Sequence, residues 1–194
     1  MKTRFLATLA VLALLTAGTS VAQNLINNSG FEAGTAGWYA TGNQDGYTSV
    51  NGCSDTTCPF AGNLQAWFGA VNAPGGLAQD VATTAGANYE VSFWLANDGN
   101  DADIMPGDHT SIEVTFGGVT LMAENDAVAY GYRFFDFVVT ANGPVSALNF
   151  SVRQDPYYYY LDQVTVTETP EPASLTLLGS ALGIGAGFIR RFRG

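Results

Sequence analysis

The sequence predicts an all-β body, an antiparallel β-sandwich of the jelly-roll type, between two short terminal segments. Three observations support this. Apolar and polar residues alternate in several stretches between residues 23 and 169, as in half-buried strands and unlike the pattern of helices. Turn-forming runs such as Pro74-Gly75-Gly76 and Asn142-Gly143-Pro144 separate these stretches. The length of 194 residues suits one domain of ordinary size.

The N-terminus has the pattern of a secretory signal peptide over residues 1–22. Lys2 and Arg4 precede an apolar run over 5–15, and small residues follow up to Ala22. This apolar run is too short to cross a bilayer, which disfavours a membrane anchor. We expect signal peptidase to cleave between Ala22 and Gln23, so that the mature protein lies outside the cytoplasm.

Ten stretches of the body are expected to be strands. The clearest alternation is found at 89–96, 111–116, 134–139, 148–152 and 160–166, and weaker strands are expected near 24–26, 47–50, 64–68, 77–81 and 119–123. Strict alternation in the last stretch places four side chains on one face: Tyr160, Asp162, Val164 and Val166. Nine or ten short strands with this spacing are typical of a sandwich.

The charge of the body is strongly negative, and this excludes whole classes of partner. Between residues 23 and 169 there are two arginines and no lysine against 16 acidic residues, a formal charge of −14. Such a surface repels nucleic-acid phosphates and anionic lipid headgroups, so we expect no nucleic-acid partner. Neutral ligands and cations remain compatible with it.

The cysteines form a single pair, Cys53 and Cys58. In an oxidising compartment they are expected to form a local disulfide. The ring is small, so the chain-entropy estimate of its stabilisation is only about 2 kcal/mol. It is expected to stiffen one loop rather than to hold the fold together.

No catalytic residue is predicted. The one histidine, His109, lies beside Asp108 and near Ser111, but sequence neighbours do not provide the geometry of a catalytic triad. The chain also lacks a Gly-x-Ser-x-Gly motif. Two carboxylates for glycoside hydrolysis are available in so acidic a chain, yet nothing marks a particular pair. We therefore expect a protein that is not an enzyme.

Aromatic rings are the candidate ligand-binding groups. Sugars have flat apolar faces that exposed tryptophan and tyrosine rings can bind, while polar groups bind the hydroxyls. The candidates are Trp94 and Tyr158 first, then Trp38 and Trp67, with Arg133 and Asn97 as polar contacts. The alternative for each ring is a place in the core, because a sandwich of this size buries aromatic residues.

The C-terminus carries a motif in three parts. Pro170-Glu171-Pro172 is followed by 17 uncharged residues at 173–189 and then by Arg190, Arg191 and Arg193. A helix over 173–189 reaches roughly 25 Å, just enough to cross a bilayer, with the arginines on the cytoplasmic side. Residues 169–194 resemble the PEP-CTERM sorting signal of Gram-negative bacteria. The resemblance implies processing by an exosortase near the tripeptide and delivery to the surface or matrix of biofilm-forming bacteria that produce exopolysaccharide. It leaves open whether the helix is cleaved or retained.

A second resemblance concerns the body. Residues 24–32 with Gly37-Trp38-Tyr39, the stretch 88–97 and the stretch 160–166 resemble carbohydrate-binding jelly rolls of the galactose-binding-like superfamily. The resemblance implies that the first and last strands lie side by side. It also implies a structural calcium held by Glu32 and Asp162, with carbonyl groups near Asn28. The departure is Gln163, where many relatives have a second acid. The alternative is that both carboxylates cap turns.

Together these expectations divide the chain into a signal peptide at 1–22, a β-sandwich at 23–168 and a sorting signal at 169–194. The expected function is that of an exported, non-enzymatic protein that binds a neutral extracellular glycan and is anchored in the inner membrane by its C-terminal helix before processing. The alternative is a structural matrix or surface-coat protein without specific sugar binding.

Overall fold

Two antiparallel five-stranded sheets make up the described part of the chain, and they confirm the predicted all-β sandwich. The computed structural model describes residues 22–45, 48–54, 57–99, 110–154 and 157–169. The strands are β1 (Tyr39–Gly42), β2 (Thr48–Asn51), β3 (Gln65–Phe68), β4 (Gly75–Ala82), β5 (Asn88–Asn97), β6 (Thr110–Phe116), β7 (Val119–Asn125), β8 (Tyr130–Thr140), β9 (Val145–Gln154) and β10 (Tyr159–Glu168).

The strand order differs between the sheets. The first sheet has the order β1-β4-β9-β6-β7 and the second β2-β3-β10-β5-β8. Nine of these strands coincide with stretches where alternation predicts a strand. β1 was not predicted, because three of its four residues are exposed and the fourth is half-buried, so they show no alternation.

The core lies between the two sheets. Tyr89, Val91, Phe93 and Leu95 on β5 are each at most 1% exposed, as their alternation predicts. The Phe93 ring meets Phe150 of the opposite sheet edge to face, with centroids 5.1 Å apart. Burial of apolar surface of this kind is the main favourable contribution to folding.

β10 contains a bulge that overturns one prediction. Its pairing with β5 shifts between Asp162 and Thr165, and Gln163 has a φ of 49°. The extra residue reverses the alternation. Val164 and Val166 therefore pack in the core, whereas Asp162 lies on the opposite face of the sheet. The prediction that Tyr160 and Asp162 share a face with these valines was wrong.

The N-terminal segment lies beside β10. Residues 24–26 do not form the predicted strand, yet Leu25 N donates to Val166 O at 2.8 Å. The Asn24 side chain continues the contact, since its Oδ1 accepts from Val166 N and its Nδ2 donates to Val164 O. The first and last segments of the body are thus neighbours, as the galactose-binding-like resemblance implies.

The disulfide prediction is confirmed, because Cys53 and Cys58 are bonded. Among the described residues, no helix has the length and apolar character needed to cross a bilayer. The predicted membrane segment 173–189, the sorting motif and residues 1–21 of the signal peptide lie outside the described residues, as does His109.

Candidate functional site

The outer face of the second sheet carries the candidate site. Tyr160 on β10 is paired with Trp67 on β3, and Asp162 is paired with Trp94 on β5. Trp94 is in turn paired with Phe134 on β8. Paired residues project to the same side of a sheet, and the neighbours of these residues along each strand face the core. The five side chains therefore share the face that points away from the core.

A pocket of about 380 Å³ lies at one end of this face. Its lining consists of Cys53, Ser54, Trp67, Asp98, Tyr157, Tyr158 and Tyr160. The Trp67 ring meets Tyr158 and Tyr160 edge to face, with centroid distances of 5.6 and 5.3 Å. The structure thus brings together two residues that the sequence analysis proposed separately, Trp67 and Tyr158.

The carboxylate of Asp98 fixes two of these tyrosines. Its Oδ1 accepts from the backbone N of Tyr158 at 2.7 Å, and its Oδ2 accepts from the hydroxyl of Tyr160 at 2.6 Å. The backbone N of Asp98 donates to Tyr158 O at 3.1 Å. Hydrogen bonds to an ionised group are stronger than neutral ones, so these contacts hold the backbone of Tyr158 and the ring of Tyr160 in place before any ligand arrives.

The disulfide loop forms another wall of the pocket. Within it Ser54 N donates to Thr57 O at 2.8 Å, and Thr57 N donates to Ser54 Oγ at 2.7 Å. Gln65, which is fully buried on β3, donates from Nε2 to the carbonyl groups of Gly52 and Thr57. Its Oε1 accepts from the Tyr132 hydroxyl. One buried amide thus ties this loop to the sheet.

A second aromatic cluster, made of Phe60, Trp94, Tyr132 and Phe134, lies on the same face. Phe60 stacks on Trp94 with a centroid distance of 3.8 Å. Phe60 remains 43% exposed and Phe134 54% exposed. Trp94 lies two strands across from Trp67 and about two residues along, or about 12 Å away at ordinary sheet spacings. The aromatic surface therefore extends beyond the pocket.

Three predicted site residues lie elsewhere, and for the two that are buried, Trp38 and Asn97, the prediction of an exposed contact is corrected. Trp38 is a core residue, 7% exposed and stacked on Phe31. Asn97 is 1% exposed, and its amide is engaged by Ala127 O and Gln154 Nε2. Arg133 lies over the ring of Tyr130 at 4.3 Å, and strand alternation puts it on the side of β8 opposite Phe134.

Sequence reasoning missed Phe60, Tyr132 and Asp98. Phe60 precedes β3 in a segment without strand alternation, so no sequence pattern marks it. Asp98 follows β5 directly and belongs to an acid-rich stretch that reads as a solvated loop. The one available signal is the alternation of β8, which puts Tyr132 on the same face of the strand as Phe134.

The carboxylates expected to hold calcium have other partners. Oε1 of Glu32 accepts from the backbone N of Asn63 at 2.7 Å and of Leu64 at 2.9 Å. These hydrogen bonds, Leu64 first, lower the pKa of Glu32. Oδ2 of Asp162 accepts from Ala61 N at 2.9 Å, and burial raises its pKa. Both carboxylates therefore cap the turn over residues 61–64.

The remaining expected ligand is engaged as well. The side-chain oxygen of Asn28 accepts from Ala33 N at 3.0 Å, and its carbonyl accepts from Phe31 N at 3.1 Å. The Gln163 amide nitrogen and Asp162 Oδ1 both lie near Gly30, 2.7 and 3.6 Å from the position that a Cβ on this glycine would take. Among the described residues, no three histidines, cysteines or acids cluster as metal ligands. Since calcium needs six to eight oxygens facing the ion, this set does not fit it.

Comparison with known proteins gives structural matches only. No protein-family profile matches the chain, and no curated protein matches it in sequence. One similar structure is the module TmCBM61 in complex with β-1,4-galactotriose, with a TM-score of 0.55 and 16% identity over 76% of this chain and 99% of that one.

Two larger proteins contain a similar domain. In the CBM22-1-GH10 modules of Clostridium thermocellum xylanase 10B, complexed with xylohexaose, the TM-score is 0.51 and the identity 13%, over 78% of this chain and 30% of that one. In the enzymatically active domain of tailspike protein 4 from bacteriophage CBA120 the TM-score is 0.54 and the identity 14%, over 75% of this chain and 21% of that one. The likeness is one of fold, and it identifies the body as a jelly-roll β-sandwich of the kind found in carbohydrate-binding modules.

Proposed function

We propose that this chain is an exported, non-enzymatic protein that binds extracellular glycan in the pocket of Trp67, Tyr158 and Tyr160. The observation that supports this most strongly is the pocket itself, where rings surround one carboxylate on the outer face of a sheet. Aromatic rings bind the apolar faces of sugars, and a carboxylate accepts hydrogen bonds from their hydroxyls. Both groups are held in place by hydrogen bonds and by the disulfide loop.

The similar structures support a glycan as the ligand class. TmCBM61 is described in complex with β-1,4-galactotriose, and the xylanase modules are complexed with xylohexaose. Both ligands are neutral oligosaccharides. The second aromatic cluster around Trp94 offers a longer glycan further contacts on the same face.

The lining of the pocket supports binding rather than hydrolysis. Among the described residues that line it, Asp98 is the single acid. Glycosidases of the common kind use two carboxylates on either side of the scissile bond. The aromatic walls suit a ligand that is held rather than cleaved.

The processing and location of the protein follow from its termini. Under this proposal signal peptidase cleaves between Ala22 and Gln23, and an exosortase acts near Pro170-Glu171-Pro172. The C-terminal helix anchors the protein in the inner membrane before that step, and the body is delivered to the cell surface or matrix. The Cys53–Cys58 disulfide agrees with an oxidising compartment.

Calorimetric titration with β-1,4-galactotriose and with xylohexaose tests the proposal. We expect at least one to bind, and Trp67→Ala to weaken binding about tenfold or more, because a buried aromatic contact is lost. Tyr39→Ala is the control, since Tyr39 is 45% exposed on the first sheet. If neither these nor a wider glycan panel binds to folded protein, the proposal is wrong.

A second candidate is the structural matrix or surface-coat protein. The observation that favours it is β8, an edge strand with exposed apolar side chains at Phe134 (54%) and Val138 (67%). Exposed edges of this kind pair with other chains. Concentration-dependent assembly in light scattering, unaffected by glycan, would favour this function over sugar binding.

A further inference from the structure

We infer that the pocket prefers a glycan that carries a free, positively charged amino group over its neutral counterpart. This inference rests on the proposed glycan-binding function and goes further, because it names the charge of the ligand. It depends on three features: the aromatic walls, the carboxylate among them, and the distribution of charge over the body.

The walls of the pocket suit a cation. The faces of aromatic rings are electron-rich and attract ammonium groups within about 6 Å, best for tryptophan and well for tyrosine. Trp67 and Tyr158 are the half-buried rings of this lining, and Tyr160, 1% exposed, packs edge to face against Trp67. Several rings converging on one volume are the arrangement in which proteins bind ammonium groups.

The carboxylate of Asp98 adds a negative charge to the lining of this pocket. Its position is set by the backbone of Tyr158 and the hydroxyl of Tyr160. It attracts a cation through its charge, whichever hydrogen bonds it makes, and this attraction is strengthened where water is displaced from the pocket. A neutral sugar gains hydrogen bonds from the carboxylate but not this charge interaction.

Neither arginine of the body is among the described residues that line the pocket. Between residues 23 and 169 the sequence has two arginines, Arg133 and Arg153, no lysine, and one histidine, His109, which lies outside the described residues. Arg133 lies over the Tyr130 ring, and Arg153 belongs to β9 of the first sheet. The formal charge of −14 adds a long-range attraction for cations. The carboxylate in the pocket and the net charge of the body therefore both favour a cationic ligand.

Two oligosaccharides that differ only at the amino group test the inference. We would measure the affinity of the full chain for the β-1,4-linked hexamers of glucosamine and of N-acetylglucosamine at pH 6 and low salt. We expect the glucosamine hexamer to bind about tenfold more tightly. This preference is expected to shrink as added salt screens the charges and as rising pH removes the amino proton.

Asp98→Asn and Asp80→Asn form a matched pair of variants. Asp80 also accepts a hydrogen bond from a tyrosine hydroxyl, that of Tyr39, but on the first sheet. We expect Asp98→Asn to bring the affinity ratio close to one and Asp80→Asn to leave it unchanged. If Asp98→Asn does not fold, the salt and pH dependence of the unchanged chain decides.

Three outcomes would overturn the inference. Equal or weaker binding of the glucosamine hexamer overturns it, and so does a preference that Asp98→Asn and salt leave intact. In either case binding of a neutral glycan keeps the proposed function. If no glycan of either charge binds to folded protein, both proposals fail.

Discussion

At the scale of single residues, a few polar side chains hold the loops that shape the outer face of the second sheet. Asp98 binds the backbone and hydroxyl of neighbouring tyrosines, Gln65 holds the disulfide loop, and Glu32 caps the turn before β3. Backbone groups in a loop lack the hydrogen bonds that strands exchange in a sheet. These side chains supply hydrogen-bond partners for the loops instead. The shape of the site therefore depends on a few side chains, each of which can be tested by mutation.

Glu32 gives the first prediction at this scale, for Glu32→Gln. Backbone donors from Leu64 and Asn63 lower the pKa of this carboxyl below its ordinary value of 4.5. Its charge therefore stabilises the fold above that value, and the contribution is lost as the pH falls through the lowered folded pKa. We expect the variant to have a lower Tm than the unchanged protein at pH 7 and the difference to shrink below pH 4. A difference that stays constant from pH 7 to pH 3 would contradict this.

Gly62 allows a second prediction at the same turn, for Gly62→Ala. Its φ is 75°, and a Cβ there would meet the Glu32 carboxylate within the distance of a clash. A side chain at such a φ costs about 1 kcal/mol in backbone strain alone. We expect urea unfolding to show a loss of at least that size. The control is Gly86→Ala, which has a φ of 84° but no neighbour within 4 Å, and is expected to lose less.

The same scale shows what sequence reasoning can identify. Composition and alternation select aromatic residues but do not say which are covered, so Trp67 and Tyr158 were proposed alongside Trp38, which stacks on Phe31 in the core. Whether a ring is covered depends on contacts between residues distant in sequence. Asp98 was missed for that reason, since its partners Tyr158 and Tyr160 are 60 and 62 residues away.

At the scale of elements, the disulfide loop matters more for the pocket than for the fold. It closes a ring of few residues just after β2, and two of its residues, Cys53 and Ser54, line the pocket. The core strands do not depend on it, because their contacts lie between the sheets. The loop is therefore a positioning element for the proposed site.

The prediction for this element concerns the double variant Cys53→Ser, Cys58→Ser. Loss of the cross-link is expected to lower the free energy of unfolding by about 2 kcal/mol, the chain-entropy value for so small a ring. The far-ultraviolet circular dichroism should remain that of a β protein, while affinity for glycan falls because the pocket wall is mobile. Collapse of the β spectrum, or unchanged affinity, would contradict this role.

The strands themselves were largely predictable, and the exceptions have physical causes. β5 could be predicted because Tyr89, Val91, Phe93 and Leu95 alternate along it and all face the core. β10 was predicted as a strand, but the bulge near Gln163 reverses its faces, and alternation alone does not reveal an inserted residue. This reversal is what puts Asp162 on the outer face, beside the turn that it caps.

At the scale of the whole molecule, the sandwich is held by side chains packed between two sheets. Aromatic and aliphatic residues of β5, β9 and β10 fill the space between them. The carboxylates at the edge of this core accept hydrogen bonds from backbone N–H groups.

This arrangement leads to the last prediction, that calcium does not stabilise the fold. A calcium ion bound only by the folded protein at 100 times its Kd would add about 2.7 kcal/mol, and would raise the Tm by several degrees in a domain of this size. We expect the same Tm within about one degree in 5 mM CaCl₂ and in 5 mM EDTA, since Glu32, Asp162 and Asn28 already have protein donors. The companion variant Gln163→Glu replaces the amide beside Asp162 with a carboxylate, and it should be the form that gains Tm from calcium. A rise of several degrees in the unchanged protein would show that these carboxylates exchange their backbone donors for the ion.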